Sequence, residues 1–152
     1  MTDHSIQGML ERFAIRETIE AYSNCVNRRD WENLARVFTS DGAWIVRSPG
    51  MDLDIAGAAN IANTIAEALK HAELFVQFPS AVSVVVTGDT ATATSVINEV
   101  LSFGGTRKFL YGHYDDKLVK EDGRWKFRER RFRCFYQADE PLPGQVVPVA
   151  ID

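Results

Sequence analysis

The segment YGHYDDKLVKEDGRWKFRERRF, Tyr111 to Phe132, holds the densest set of groups able to move a proton: His113, Asp115, Asp116, Glu129 and four arginines. It is predicted to form two strands about a turn at Asp122-Gly123. A two-residue loop there pairs Leu118 with Phe127 and Lys120 with Trp125. One face then carries Gly112, Tyr114, Asp116 and Leu118 beside Trp125, Phe127, Glu129, Arg131 and Arg133. That face is apolar near the turn and charged away from it, as a wall would be if packed at one end and open to a pocket at the other. Asp116 is expected opposite Glu129, and Tyr114 opposite Arg131. Two carboxylates so close need a guanidinium between them. A carboxylate held beside a hydroxyl and a guanidinium can be tuned toward neutral pH, so Asp116 is the first candidate for a general base. The same charges also suit a solvated rim, and both readings stand at this point.

The remaining polar groups exclude several chemistries. His4, His71 and His113 have no metal-ligand spacing with each other or with Cys25 and Cys134. There is no glycine-rich phosphate loop and no GxSxG motif, so no metal or cofactor is implied. A net charge of −4 gives no support to a nucleic-acid or anionic-membrane partner. The N-terminal MTDHSIQGMLERF is unlike a signal peptide, and no apolar run approaches the roughly 20 residues that span a bilayer. Two distant cysteines then fit free thiols in a reducing cytoplasm.

Hydrophobic spacing supplies the frame. Residues 5–29 are predicted as a helix capped by Ser5, with Ile15, Ile19, Tyr22 and Val26 on one face. Asp30 caps a second helix, WENLARVF, which TSDG ends. A strand AWIVRS, an extended MDLDIAG and a third helix AANIANTIAEALKH follow, and His71 closes that helix near its last carbonyls. The β-branched run SAVSVVVTGDTATATSVINEVLSF turns at Gly88-Asp89 and predicts a hairpin. Two more strands, Arg107–Lys120 and Arg124–Tyr136, complete an antiparallel sheet. Residues 1–137 form the expected domain, and 138–152 a proline-rich surface tail. The fold class is α+β: a curved antiparallel sheet wrapped around the long N-terminal helix as a cone, with a pocket at its open end. In the central hairpin a two-residue loop sets Gln77 opposite Val100 and Pro79 opposite Asn98. Buried amides there mark a polar network or a ligand. Trp44 and Phe75 fit either the pocket mouth or the core. Arg47 suits a surface ion pair. Tyr111, His113 and Phe132 are expected on the outer face, which would pack against another copy in a dimer or trimer.

Three stretches carry a resemblance: RFAIRETIEAYSNCVNRRDWENLARVFTSDGAWIV, VTGDTATATS and GHYDDKLVKEDGRWKFRERR. The chain resembles the SnoaL-like branch of the nuclear-transport-factor-2-like superfamily, which is similar to scytalone dehydratase and to dehydrochlorinases. The resemblance implies a cystatin-like cone and a small-molecule-binding protein. It further implies a cofactor-independent lyase (dehydratase) or isomerase acting on a cyclic apolar substrate. The alternative is a non-catalytic ligand-binding or assembly subunit, like the β subunits of ring-hydroxylating dioxygenases. In the dehydratase-like members a helix carboxylate pairs with a strand histidine. Carried over by position, these fall on Asn24 and Gln77, an amide pair that cannot exchange protons near neutral pH. The resemblance leaves Asp116 as base, or His71 if the register of the preceding link differs, with Tyr22 polarising a substrate oxygen. Asn24, Trp44, Gln77, Asn98, Tyr114 and Arg131 would orient the ligand.

Overall fold

The structure, a computed structural model, describes residues 4–147. Helix α1 (Ile6–Arg28) begins where the Ser5 hydroxyl accepts the Gly8 N–H at 3.0 Å. Ile15, Ile19, Tyr22 and Val26 are buried along one side of it. Arg29 ends the helix in a left-handed conformation (φ 59°), and Asp30 caps α2 (Trp31–Arg36). This second helix stops two residues earlier than expected. The Val37 carbonyl accepts the Phe127 N–H at 2.8 Å, and Phe38 opens strand β1 (Phe38–Ser48). The sheet therefore claims Phe38 and the TSDG segment, which was expected to be a turn.

Strand β2 (Met51–Ala56), helix α3 (Ala58–Leu69) and strands β3 (Leu74–Thr87), β4 (Thr90–Phe103), β5 (Thr106–Glu121) and β6 (Arg124–Pro141) follow. The six strands make one sheet in the order β2-β1-β6-β5-β4-β3. Neighbours are antiparallel except β1 and β6, which run parallel. The sheet wraps the buried face of α1, and the expected α+β cone is present. Strand β6 continues to Pro141, so residues 138–141, expected in the tail, pair with β5 instead. Residues 148–152 of that tail lie outside the described residues.

Two bulges set which side chains face inward. The Asp122-Gly123 turn has φ of 51° and 75°, as a two-residue type I′ loop requires, and Leu118 pairs with Phe127 as predicted. One extra residue, Arg128, then shifts the register, so that Lys117 opposes Glu129, Asp116 opposes Arg130 and Tyr114 opposes Phe132. A one-residue slip turns every later side chain over. Arg130 and Phe132 therefore face the interior, whereas the sequence pointed Glu129, Arg131 and Arg133 there. A second bulge lies in β3, between Ser80 and Ser83, where Ala81 has φ 49°. Arg16 of α1 donates to the Val82 carbonyl at 2.7 Å, satisfying an acceptor that the bulge takes out of the ladder. Beyond it Gln77 opposes Glu99 and Phe78 opposes Asn98, one step from the predicted pairing.

Phe132 packs flat over Gly112. A Cβ built on Gly112 would lie 2.4 Å from the Phe132 ring and 2.7 Å from the Arg133 carbonyl. Gly112→Ala must displace the ring or the strand, and is expected to cost about 1–3 kcal/mol. Urea denaturation reads this directly, with a lowered midpoint at unchanged slope.

Candidate active site

The open end of the cone encloses a cavity of about 310 Å³ between α1, α3 and the concave side of the sheet. Its apolar walls include Val26, Ile65, Leu69, Phe75, Leu101, Leu110 and Phe132. Into this lining project Tyr22, Trp44, Gln77, Glu99 and Tyr114. Their placement follows from strand alternation. On β4 the inward row is Ala91, Ala93, Ser95, Ile97, Glu99 and Leu101; on β5 it is Leu118, Asp116, Tyr114, Gly112 and Leu110.

Glu99 is the carboxylate of this cavity. Burial pushes its pKa up from 4.5 to about 8, because the ionised form has little polar surrounding to replace water. Tyr22 and Tyr114 stand close enough for the Glu99 charge to raise both their pKa values, on top of a larger effect of burial. The Tyr114 hydroxyl donates to the Tyr22 oxygen across a long 3.5 Å contact, which leaves the Tyr22 proton for a ligand. The Trp44 indole N–H is buried without a hydrogen-bond partner. Gln77 is held from both sides of its residue. Ser23 donates to its side-chain oxygen at 3.3 Å, so its amide nitrogen is the end left to donate to a ligand. Asn27 clamps its backbone, accepting the N–H at 2.9 Å and donating to the carbonyl at 3.0 Å. That clamp also covers the free edge of β3.

Several expected site residues lie elsewhere. Asn24 is exposed: Ser23 and Asn27, four apart on α1, share the face toward Gln77, and Asn24 points away from it. Asp116 is fully buried below the cavity, in an ion pair with Arg130 at 3.3 Å, and does not line the cavity. Burial raises its pKa to about 7 against the downward pull of Arg130. Arg131 lies on the outer face, paired with Glu129 at 3.4 Å, because the Arg128 bulge turned it over. Asn98 neighbours Phe78 and Tyr111 on the outer face, turned there by the Ala81 bulge. His71 is exposed just beyond α3. Arg47 pairs with Asp54 at 3.0 Å, as expected of a surface residue. Tyr22, Trp44, Gln77, Tyr114 and Phe75 do meet in the cavity. Both cysteines are free, and no cluster of three metal-ligating side chains occurs among the described residues. No helix among them is long and apolar enough to cross a membrane.

Glu99 is the residue that sequence reasoning missed. Its signal was present: it continues the odd-numbered row of small and apolar residues in ATATSVINEVL, where a lone carboxylate stands in an inward position.

A model of the SnoaL-like domain matches residues 7–131. The chain belongs to the SnoaL-like family. Rv2910c, an uncharacterized protein of Mycobacterium tuberculosis, is 27% identical over 136 residues, covering 86% of this chain and 90% of its own. Two solved structures show the same fold. One is a Novosphingobium aromaticivorans protein described as a scytalone dehydratase, with 24% identity, TM-score 0.77, and coverage of 87% of this chain and 89% of its own. The other is a hexachlorocyclohexane dehydrochlorinase, LinA-type3 of Novosphingobium barchaimii, with 19% identity, TM-score 0.77, and coverage of 93% and 97%. Within this SnoaL-like domain the helix-to-strand contact that meets Gln77 is built from Ser23 and Asn27. Neither they nor Gln77 titrate near neutral pH, so the titrating side chains of the cavity interior are Glu99 and the two tyrosines.

Proposed function

We propose that this SnoaL-like protein is a cofactor-independent lyase or isomerase, moving a proton on a small, largely apolar cyclic molecule that carries an oxygen. The observation that carries this reading is Glu99: a carboxyl with a pKa of about 8 inside a cavity of matching size. Such a group is mostly protonated at pH 7 and can donate to a leaving hydroxyl or a carbonyl oxygen. Its ionised form can accept a proton from carbon, and a pKa near the working pH serves both directions. Tyr22, the Trp44 N–H and the Gln77 amide supply donors for the substrate oxygen as negative charge develops on it. The two structural relatives are named for eliminations, of water and of hydrogen chloride, which agrees with this class of reaction.

The test begins with a thermal-shift screen of hydroxylated polycycles and terpenoids. Ligands that bind are then incubated in deuterium oxide, with mass spectrometry as readout. Deuterium entering a carbon position, or loss of water, supports the enzyme. Ligands that bind without exchange or turnover favour the second reading, a non-catalytic binding protein, which the amides at Asn27 and Gln77 make the natural rival. The free thiols fit work in the cytoplasm.

We also propose self-association through the outer sheet face. Tyr111, His113, Phe135 and Tyr136 form an aromatic group there, with His113 stacked on Phe135 at 5.9 Å and Tyr111 against Tyr136 at 6.3 Å. Phe132, expected in this group, faces inward instead. Light scattering at micromolar concentration should give a dimer or trimer, and Tyr136→Lys should shift it toward monomer.

A further inference from the structure

The inward rows of the sheet change character toward the rim. On β5 they run from Tyr114 through Gly112 and Leu110 to Lys108, which lines the cavity. On β4, Glu99 opposes Leu110 and Leu101 opposes Lys108, so Lys108 stands one inward step above Glu99, about 7 Å along the strand. Gln137 of β6 and Ser48 of β1 line the cavity on the next two strands, and each brings a hydrogen-bond donor. Lys108 is the cationic side chain of the lining and Glu99 its carboxylic one. They are not paired: burial is what moves the Glu99 pKa, and the Lys108 ammonium lies 3.8 Å from Asp139 on the neighbouring strand. That contact is long, and both side chains are exposed, so it leaves the ammonium available. With Glu99 mostly neutral at pH 7, the cavity presents an apolar interior and a positive rim.

We propose that the cavity takes amphipathic monoanions, with the apolar body inside and a carboxylate held at the mouth by Lys108, assisted by Gln137 and Ser48. This rests on the reading of the cavity as a substrate site and narrows that substrate to a class. Lys108 is then a specificity-determining residue, and it takes no part in proton transfer. Its distance from Glu99 allows a ligand to reach both, one group at each end.

A matched pair of probes tests this: 2-naphthoate and 2-naphthol, titrated calorimetrically at pH 7 into the wild type, Lys108→Met and Lys108→Arg. Naphthoate should bind the wild type about tenfold more tightly than naphthol, as expected for one charge-assisted contact at a half-exposed site. Lys108→Met should erase that preference while leaving naphthol binding within about twofold, and Lys108→Arg should keep it. Raising salt should weaken naphthoate alone. Equal binding of the two probes to the wild type, or a preference that survives Lys108→Met, overturns the proposal and leaves the Glu99 chemistry standing. Failure of both probes to bind overturns it as well. A Glu99 carboxyl that titrates near 4.5 would instead sink the catalytic reading without touching the rim preference.

Discussion

Glu99→Gln is expected to reduce turnover by about 10²–10⁴-fold and to make the protein more stable at alkaline pH. Both effects come from one property of the site. Glutamine keeps the shape and the hydrogen bonds of a neutral carboxyl but cannot give or take a proton. The carboxyl itself has a folded-state pKa of about 8 against 4.5 for the free side chain. Between those values the native state holds a proton that the unfolded chain releases, so unfolding becomes easier as pH rises. The slope from this one group is at most about 1.4 kcal/mol per pH unit, and it ends above pH 8, where both states are ionised. Melting temperatures at pH 5, 7 and 9 should therefore fall less steeply in Glu99→Gln than in the wild type, with the curves furthest apart at pH 9. This measurement needs no substrate. If the two proteins lose stability in parallel, Glu99 titrates normally and the proposed mechanism loses its base. With a substrate in hand, kcat/KM should rise with pH through about 8 if the carboxylate takes a proton from carbon in the limiting step. It should fall through the same range if the acid form is required.

The sequence revealed the frame of this molecule more fully than its site, and the reason is local. The caps at Ser5 and Asp30, the α1 stripe from Ile15 to Val26 and the I′ turn at Asp122-Gly123 are each encoded within a few residues. So is strand alternation counted outward from a turn, which holds as far as Phe127 and Ser83. There the count fails, because a bulge adds one residue and inverts all that follows. The Arg128 bulge is held by an N–H of Phe127 turned to Val37, and the Ala81 bulge by Arg16 reaching Val82, 66 residues away. Partners so distant leave no mark in the local pattern. The cost fell on the site, since Arg131 and Asn98 were assigned beyond the bulges. Tyr114, Trp44 and Tyr22 lie on segments whose parity no bulge disturbs, and they were placed correctly. Glu99 lies on β4, whose inward row is unbroken, and was legible all along.

The inversion at Arg128 also changes what Asp116 is for. A catalytic Asp116 would lose turnover on substitution, whereas a buried ion-pair partner loses the fold. Its guanidinium partner, Arg130, lies against the rings of Tyr114, Tyr22 and Phe127 at 3.7, 4.3 and 4.4 Å. Both side chains are fully buried. Asp116→Leu removes the counter-charge and leaves Arg130 alone in a medium that cannot solvate it. The expected loss is about 3–5 kcal/mol, toward the lower end because the three ring faces still attract the cation. The paired change Asp116→Leu with Arg130→Met should recover most of that loss. It removes both charges together, along with three buried atoms that have no hydrogen-bond partner: Asp116 Oδ1, Arg130 Nε and Arg130 Nη2. Urea denaturation of the wild type, the single and the double variant forms the comparison. A single variant that loses less than about 1 kcal/mol would show that Arg130 finds another partner. A double variant as weak as the single would show that the aromatic cage, and not the ion pair, is what the fold needs from Arg130. If the double variant folds and still turns over substrate, proton transfer belongs to the cavity above and not to the pair beneath it.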